Sequence, residues 1–279
     1  MNKKSPFSID SQSIPLPEKD LFWVPFFALF SREIQRFFKV IFQTLGTPVI
    51  NTGLYLLIFG VSLGEQIRIG FDLPYLAFLI PGLVTMGVLR NAFDNSSGSI
   101  ITSKFCGELE DLRISPLSPS QIAWANGLGG LCRGLIVGLI TLLIGQIFYY
   151  FYIGSFLSIQ NPLSLCFFLF TSGLSFANLG LCIAMRAKTL EHVSAISTFV
   201  LLPFIYLGGI FFSLDLLHPF WRQVSLANPL LYLVNGVRYG ILGISDIDIL
   251  SCSIVATLST IIFHLLALSS LKKGSYHRW

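Results

Sequence analysis

Three ionisable residues fall inside long apolar stretches of this sequence, where charge is costly and therefore informative. Arg90 and Asp94 are four residues apart, so one helical face would bring them together as an ion pair. Arg133 lies about 12 residues into a later apolar stretch, from which its long side chain can extend toward the polar interface. These positions predict either a contact or gate for a substrate, or structural anchoring of the helices. The sequence leaves both interpretations open.

The side chains that perform covalent chemistry or bind metals show no recognisable grouping in this sequence. Its four histidines are scattered, and its five cysteines include no CxxC pair. No GxxxxGK[ST] loop for binding phosphates is present, since the glycines within residues 127–130 are not followed by the required lysine. We therefore expect no catalytic residue, metal site or bound cofactor. The modest net charge of +4 does not indicate a nucleic-acid partner.

The composition identifies the environment that surrounds these residues. Of the 279 residues, 53% are hydrophobic and only 11% are charged, whereas soluble domains carry roughly 25% charged residues. So few charges cannot cover the surface of a water-soluble protein of this length. We predict an all-α integral membrane protein whose apolar stretches cross the bilayer as helices.

Six apolar stretches are long enough to be membrane spans, and together they make one transmembrane domain over residues 40–271. The predicted spans are about 40–64, 73–93, 121–152, 163–184, 193–213 and 249–271. Residues 215–248 are too polar for a full span and too apolar for a plain loop, which predicts a re-entrant or interfacial segment before the last span. In the third span, Gly130, Gly134 and Gly138 recur at every fourth position. That spacing permits close helix approach in lipid, although ordinary span glycines are the alternative.

The two ends of the chain are polar. Residues 1–19 lack the apolar core of a signal peptide, so we predict a flexible cytoplasmic tail. Residues 20–39 place basic side chains on one face and phenylalanines on the other, which predicts an amphipathic helix in the membrane interface rather than a buried soluble helix. Residues 272–279 are predicted to form a short cytoplasmic tail.

The distribution of positive charge orients these spans. With the N-terminus inside, 13 lysines and arginines fall on the cytoplasmic side, three fall on the outer side, and two lie within spans or at their ends. The positive-inside rule therefore predicts that both termini are cytoplasmic. An even number of spans agrees with this orientation.

Residues 107–113 (GELEDLR), after the second span, are the most distinctive polar segment. Leu109 and Leu112 share one helical face and Pro116 follows them, which predicts a short amphipathic helix. Its leucines would fill a groove on a cytosolic partner, and its charges would fix the orientation of docking. A solvated connector is the alternative interpretation.

Four stretches in their order along the chain resemble the ABC-2 type permeases, the membrane subunits of bacterial ATP-binding-cassette exporters. They are residues 54–60 (LYLLIFG), 109–118 (LEDLRISPLS), 206–213 (YLGGIFFS) and 228–232 (NPLLY), the last followed by Arg238, Tyr239 and Gly243. Together they cover roughly residues 30–245, and their shared order makes the resemblance specific.

The resemblance implies a six-span subunit of the bacterial inner membrane that pairs as a homodimer and binds two copies of a cytosolic ATPase. ATP and Mg²⁺ would be bound by that partner, and the exported substrate would be a drug, lipid or glycan. The implied coupling loop is Gly107, Glu108, Leu109, Glu110, Asp111, Leu112 and Arg113, and the second cytoplasmic contact is Arg186, Lys188 and Glu191. The implied outer-gate segment contains Asn228, Pro229, Tyr232 and Arg238.

Two other classes of membrane protein make different demands on the sequence. An ion-coupled secondary transporter or a channel would need no ATPase, but proton-coupled transporters usually carry a carboxylate at mid-span. The predicted spans place no Asp or Glu near their middle. A membrane-embedded enzyme would need a cluster of His, Asp or Glu near an interface, and none is found in the sequence.

Overall fold

The computed structural model describes residues 18–39, 41–64 and 73–273, and it is helical with no strand in these ranges. The predictions for residues 1–17 and 274–279 of the two tails lie outside the described residues. The helices, in chain order, are α1 (Glu18–Lys39), α2 (Ile41–Tyr55), α3 (Tyr75–Cys106), α4 (Glu108–Ile114), α5 (Pro119–Ile153), α6 (Pro162–Arg186), α7 (Leu190–Ile196), α8 (Leu202–Tyr206), α9 (Pro219–Leu226), α10 (Pro229–Leu242) and α11 (Ile249–Lys273). A π-helix over Leu56–Ser62 extends α2, and another over Ser197–Leu201 joins α7 to α8.

Five helical segments of the described chain are long and apolar enough to cross a membrane. They are Thr44–Ser62, Tyr75–Cys106, Pro119–Ile153, Pro162–Arg186 and Ile249–Lys273. The all-α membrane fold predicted from composition is thus confirmed. The predicted fifth span corresponds to a continuous helix over Leu190–Tyr206, whose 17 residues stand at the lower limit for crossing a bilayer. The count of six spans therefore stays a prediction.

Helix α3 is the centre of the bundle. It packs against α5, α6 and α10, and most of its side chains are buried. It is 32 residues long and continues to Cys106, well past Phe93, near which the span was predicted to end. The place where this helix leaves the membrane stays a prediction. The residues after Phe93 are rich in serine and resemble a loop in sequence, yet they are helical. The Ser97 hydroxyl is satisfied within the helix, because Oγ donates to the Phe93 carbonyl oxygen four residues earlier at 2.8 Å.

The glycine stripe of α5 sets the distance between α5 and α3. A Cβ atom added to Gly134 would lie 2.8 Å from the backbone oxygen of Val88, and one added to Gly130 would lie 2.9 Å from that of Ala92. Gly138 faces the side chain of Val88. The close helix approach predicted from the four-residue spacing is confirmed, because only a glycine leaves room for the neighbouring backbone here.

Helix α1 has more than the two faces predicted from its sequence. Leu29, Glu33 and Phe37, spaced four apart, are buried on the side that packs against α3 and α5. Trp23 and Phe38 are exposed on another side. The placement of this helix in the membrane interface stays a prediction.

Residues 215–248 form two short helices instead of a span. Helix α10 has 14 residues and is mostly buried against α3, α6 and α11. At about 1.5 Å per residue it is roughly 21 Å long, which is too short to cross a hydrocarbon core of about 30 Å. A buried helix of this length fits a re-entrant segment, and its depth in the membrane stays a prediction.

Candidate functional site

The segment predicted to couple to a partner is a helix, α4, at the turn between α3 and α5. Gly107 ends α3 and begins α4 with a φ of +83°, a left-handed conformation that favours glycine. Leu109 is 0% exposed and Leu112 is 9% exposed, because both pack onto this chain's own bundle. The expectation that these leucines fill a groove on a partner is therefore wrong.

The outward side of α4 is formed by other residues. Glu110 and Asp111 are exposed, and Ile114 is 85% exposed at the end of the helix. This side offers acidic groups beside an apolar one, which is the chemistry that a docking helix needs. The side chain of Arg113, the last coupling-loop residue of the prediction, lies outside the described residues.

Glu108 connects α4 to the rest of the chain. Its Oε2 atom lies 3.7 Å from Arg32 Nη1 of α1 and accepts from Ser103 Oγ of α3 at 3.3 Å. Both contacts lie near the surface, so each stabilises the structure only modestly. Their value is positional, since they fix the direction in which α4 leaves the bundle.

Glu33 of α1 is a buried carboxylate that sequence reasoning missed. It accepts from Ser99 Oγ at 2.8 Å and lies 3.3 Å from Arg36 and 3.7 Å from Arg32. Arg36 also donates to the carbonyl oxygen of Asn95 at 3.1 Å. Burial lowers the pKa of Arg36, while the neighbouring Glu33 acts in the opposite direction. The available signal was that Glu33 is the one acidic residue in the basic, aromatic stretch 21–39.

The second predicted contact, Arg186 to Glu191, forms the turn between α6 and α7. Arg186, Lys188 and Glu191 are all exposed, and Thr189 caps α7 by accepting from the His192 amide at 3.3 Å. Residues of this turn and the end of α3 together line a cavity of about 180 Å³. The structure thus places the second predicted contact against the end of α3, the helix that leads into α4.

Lys104 ties the end of α3 to the end of α6, a role that the sequence pattern does not indicate. It is 1% exposed, and its Nζ atom donates to the carbonyl oxygens of Met185 and Ala187, each at 3.1 Å. These carbonyls end α6, where a cation is favoured by the helix dipole. The sequence pattern placed Lys104 in a loop, because the second span was predicted to end near Phe93.

Arg90, Asp94 and Arg133 line one cavity between α2, α3 and α5, with a volume of about 250 Å³. Arg90 Nε lies 3.8 Å from Asp94 Oδ2, so the predicted ion pair is present. Arg133 Nη1 donates to Asn95 Oδ1 at 3.5 Å. Three residues selected separately in the sequence therefore belong to a single site.

Asp94 stands inside α3 and not at its end. It lies 12 residues before Cys106, which is about 18 Å along the helix axis. Because α3 has 32 residues, or about 48 Å, it is longer than a hydrocarbon core of about 30 Å. The expectation that no carboxylate lies near the middle of a span therefore stays a prediction.

The predicted outer-gate residues make hydrogen bonds within the chain and do not form one shared surface. Asn228 caps α10 by accepting from the Leu230 amide at 3.1 Å, and it donates to the Phe204 carbonyl oxygen at 2.7 Å. Pro229 is the first residue of α10, and Tyr232 Oη donates to the Leu226 carbonyl oxygen at 3.0 Å. A gating role for these residues stays a prediction.

Arg238 is the most buried of the predicted outer-gate residues. It is 0% exposed, lies 3.6 Å from the buried carboxylate of Asp246, and donates to the Gly209 carbonyl oxygen at 2.6 Å. Its guanidinium also stacks 3.7 Å over the ring of Phe78. One side chain thus joins α10 to α3 and to two irregular segments.

Comparison with known proteins decides the family. The sequence profile described as "ABC-2 type transporter" matches residues 25–242. The inner membrane transport permease YadH of Escherichia coli K12 is 36% identical over 254 residues, which cover 91% of this chain and 97% of the relative. The chain belongs to the ABC-2 type transporter family.

More distant relatives agree with membership in the ABC-2 type family. Nodulation protein J of Rhizobium leguminosarum bv. trifolii is 24% identical over 243 residues, covering 84% of this chain and 86% of the relative. The putative transport permease ycf38 of Cyanophora paradoxa is 25% identical over 205 residues, covering 70% of this chain and 67% of the relative. The ABC-2 match includes α4, the turn after α6 and the cavity, so the resemblance seen over roughly residues 30–245 is confirmed.

Proposed function

We propose that this chain is the membrane-spanning permease subunit of an ATP-binding-cassette exporter, coupled to ATP hydrolysis by a separate ATPase chain. The exported substrate would be a drug, lipid or glycan. Two copies of the chain would form a homodimer, and each would bind one ATPase subunit. The name of the relative YadH supports an inner-membrane location, and the distribution of positive charge supports cytoplasmic termini.

The observation that supports this proposal is the arrangement of α4 at the end of α3. The two leucines bury the inner side of α4, which leaves its acidic and apolar outer side fixed and accessible. At the same end of α3, Lys104 donates to the carbonyl oxygens of Met185 and Ala187, where the exposed Arg186–Glu191 turn begins. A push on α4 would therefore be passed to α3 and α6 as a movement of rigid helices.

The ATPase would supply all of the nucleotide chemistry. It would bind ATP and Mg²⁺, and its closure would press on the outward side of α4. The residues proposed to receive that force are Glu110, Asp111 and Ile114, with Lys188 and Glu191 on the neighbouring turn. The buried leucines would keep α4 from yielding.

A pull-down experiment tests this assignment. The full chain is co-expressed with the ATPase that we expect a neighbouring gene to encode, solubilised in mild detergent and captured by a tag on the permease. Replacing Ile114, which is 85% exposed, by aspartate should lower recovery of the ATPase about tenfold, because an apolar contact would face a new charge. The matched control is Phe220→Asp on α9, where the wild-type side chain is 60% exposed.

The control should retain the ATPase, since α9 lies in the segment predicted for the outer side. Equal recovery with Ile114→Asp and with the unmodified chain would remove the docking role of α4. Leu109→Asp is unsuitable for this test, because a charge buried against the bundle would disturb folding itself.

An ion-coupled transporter is the second candidate, and the mid-helix position of Asp94 is the observation that favours it. The pairing of Asp94 with Arg90 argues for a different role, because the ion pair stabilises the charged carboxylate. Transport into vesicles decides between the two. The exporter needs ATP, whereas an ion-coupled carrier would work under ATP depletion and stop when the ion gradient is collapsed.

A further inference from the structure

We infer that the cavity between α2, α3 and α5 binds an oxyanion group, a phosphate or a carboxylate, of the molecule that the permease admits. This inference deepens the proposed function, and the statement that the bound molecule is the transported one rests on it. The binding itself is a property of this chain. A bilayer lipid, an amphiphilic substrate and a free anion share the same recognised group, so the experiment separates them.

The charge of the cavity favours an anion. Two guanidinium groups, those of Arg90 and Arg133, line it together with one carboxylate, that of Asp94. The Arg90–Asp94 pair cancels one positive charge at 3.8 Å, which leaves one cation in excess. An uncompensated charge inside a membrane is expensive, so a site of this kind gains from an anionic ligand.

The hydrogen-bond donors of the cavity are also in excess. Each guanidinium carries several N–H donors and no acceptor. Arg133 reaches Asn95 Oδ1 at a long 3.5 Å, and its Nε atom is buried with no hydrogen-bond partner in the described part of the chain. A phosphate or carboxylate presents the acceptors that these donors lack, in a geometry that arginine matches.

The other polar groups that line the cavity are uncharged. They are the hydroxyl and amide groups of Thr44, Thr47, Asn51, Thr52 and Tyr55 on α2, of Asn91 on α3 and of Thr141 on α5. These groups can donate to an oxyanion without bringing a competing charge. The volume of about 250 Å³ is ample for a phosphate group together with ordered water.

The apolar surface beside the cavity suits a ligand that also carries a hydrocarbon tail. The side chains of Ile50 and Leu54, on the same helix as the polar wall, are 63% and 51% exposed. Beyond Tyr55, whose hydroxyl lies 3.3 Å from that of Tyr206, the rings of Phe59 and Phe211 continue the apolar surface. Structural anchoring alone would explain the Arg90–Asp94 pair, but it leaves Arg133 with an unused donor.

Native mass spectrometry of the purified full chain in a neutral maltoside detergent tests the inference without any ATPase. The probes are phosphatidylglycerol, diacylglycerol with the same chains, dodecyl phosphate and inorganic phosphate. We expect a phosphate-bearing probe to bind about tenfold more tightly than diacylglycerol, because charge-assisted hydrogen bonds contribute at this scale. Retention of phosphatidylglycerol indicates a lipid, of dodecyl phosphate a single-chain amphiphile, and of inorganic phosphate alone a free anion.

Substitutions locate the binding. Arg90→Gln and Arg133→Gln should each weaken the phosphate-bearing probe about tenfold. Arg222→Gln removes the same charge from α9, outside the cavity, and should leave binding unchanged. Asp94→Asn removes the competing carboxylate and should tighten binding several-fold, a gain that misfolding cannot produce.

Equal binding of diacylglycerol and the phosphate-bearing probes would overturn the inference, as would equal losses with Arg222→Gln and Arg133→Gln. Unchanged affinity in the Asp94→Asn protein would contradict it as well. The pull-down of the ATPase is a separate measurement. A chain that captures its ATPase but shows no preference for phosphate keeps the proposed function and loses only this inference.

Discussion

Arg238 and Asp246 form a buried ion pair whose environment is largely made of backbone and aromatic groups. Both side chains are almost completely inaccessible, at 0% and 2% exposure. Ser213 Oγ donates to Asp246 Oδ1 at 2.8 Å, and the Leu214 amide donates to Oδ2 at 3.3 Å. A pair with this many additional hydrogen bonds is stable as a unit and costly to break from one side.

Replacing Arg238 by glutamine should lower the free energy of unfolding by about 3 kcal/mol or more, because Asp246 would remain buried without its cation. Titration of the detergent-solubilised chain with sodium dodecyl sulfate measures this change. Arg222→Gln breaks the exposed pair with Asp215, where the two side chains are 53% and 70% exposed. It should cost about 1 kcal/mol or less.

The double variant Arg238→Gln with Asp246→Asn sharpens this test. It removes both charges, so its loss of stability should be clearly smaller than the sum of the two single losses. Simple addition of the two losses would mean that the charges do not stabilise one another.

At the scale of the element, the contact between α3 and α5 depends on glycines. Gly134→Ala should destabilise the chain by roughly 1–3 kcal/mol, because the new Cβ would lie 2.8 Å from the Val88 backbone oxygen and one helix would have to move. The readout is again the free energy of unfolding in detergent. Gly98→Ala is the matched control, since an added Cβ there meets nothing within 4 Å.

The control is expected to be neutral or to stabilise by up to about 1 kcal/mol, because alanine favours helix over glycine. A loss of stability at Gly98 equal to that at Gly134 would show that helix propensity, and not the contact with α3, governs both positions.

The elements differ in how far their sequence determines them. The apolar stretches predicted six spans, of which five are helices long and apolar enough to cross a membrane. The spacing of Gly130, Gly134 and Gly138 predicted a close contact, and both signals are local. The helical continuation of α3 beyond Phe93 was not predicted, because its last turns carry small polar residues, which become helical through burial against other helices. The inward side of Leu109 and Leu112 depends on the position of the bundle beneath α4, which periodicity alone does not determine.

The candidate site divides in the same way. Arg90, Asp94 and Arg133 were selected as costly charges in apolar stretches, and the fold then placed them around one cavity. Glu33 and Lys104 were missed because their roles come from partners 66 and 81 residues away along the chain. Pairwise contacts at such separations leave no pattern in a single sequence.

For the whole molecule, the cavity and the α4 surface share the same helices. Helix α3 carries Arg90 and Asp94 at mid-length and Lys104 near the end that leads into α4. Movement of α4 would therefore act on the cavity through α3 itself, with α6 drawn along by the two hydrogen bonds of Lys104. In the proposed exporter, this arrangement would link ATP-driven motion to ligand binding without a separate transmitting element.

The predicted placement of both termini on the cytoplasmic side depends on the number of spans. The helix over Leu190–Tyr206 has 17 residues, or about 26 Å, slightly less than a hydrocarbon core of about 30 Å. The chain beyond it is irregular, but the Gly209 and Phe211 carbonyl oxygens accept from the buried side chain of Arg238 and from Tyr75 Oη. Irregular backbone satisfied by protein in this way is tolerated at membrane depth, so residues 207–213 can complete the crossing.

Cysteine labelling from the two sides of the membrane checks this topology in a variant whose five native cysteines are replaced by serine. Ser115→Cys and Lys188→Cys should react with a membrane-impermeant reagent only after the cells are permeabilised. Phe156→Cys and His218→Cys should react in intact cells. Since Lys188 and His218 flank the short helix, labelling of both from one side would show that it does not cross. Labelling of Ser115→Cys in intact cells would place α4 outside, beyond the reach of any cytosolic ATPase, and would contradict the proposed coupling.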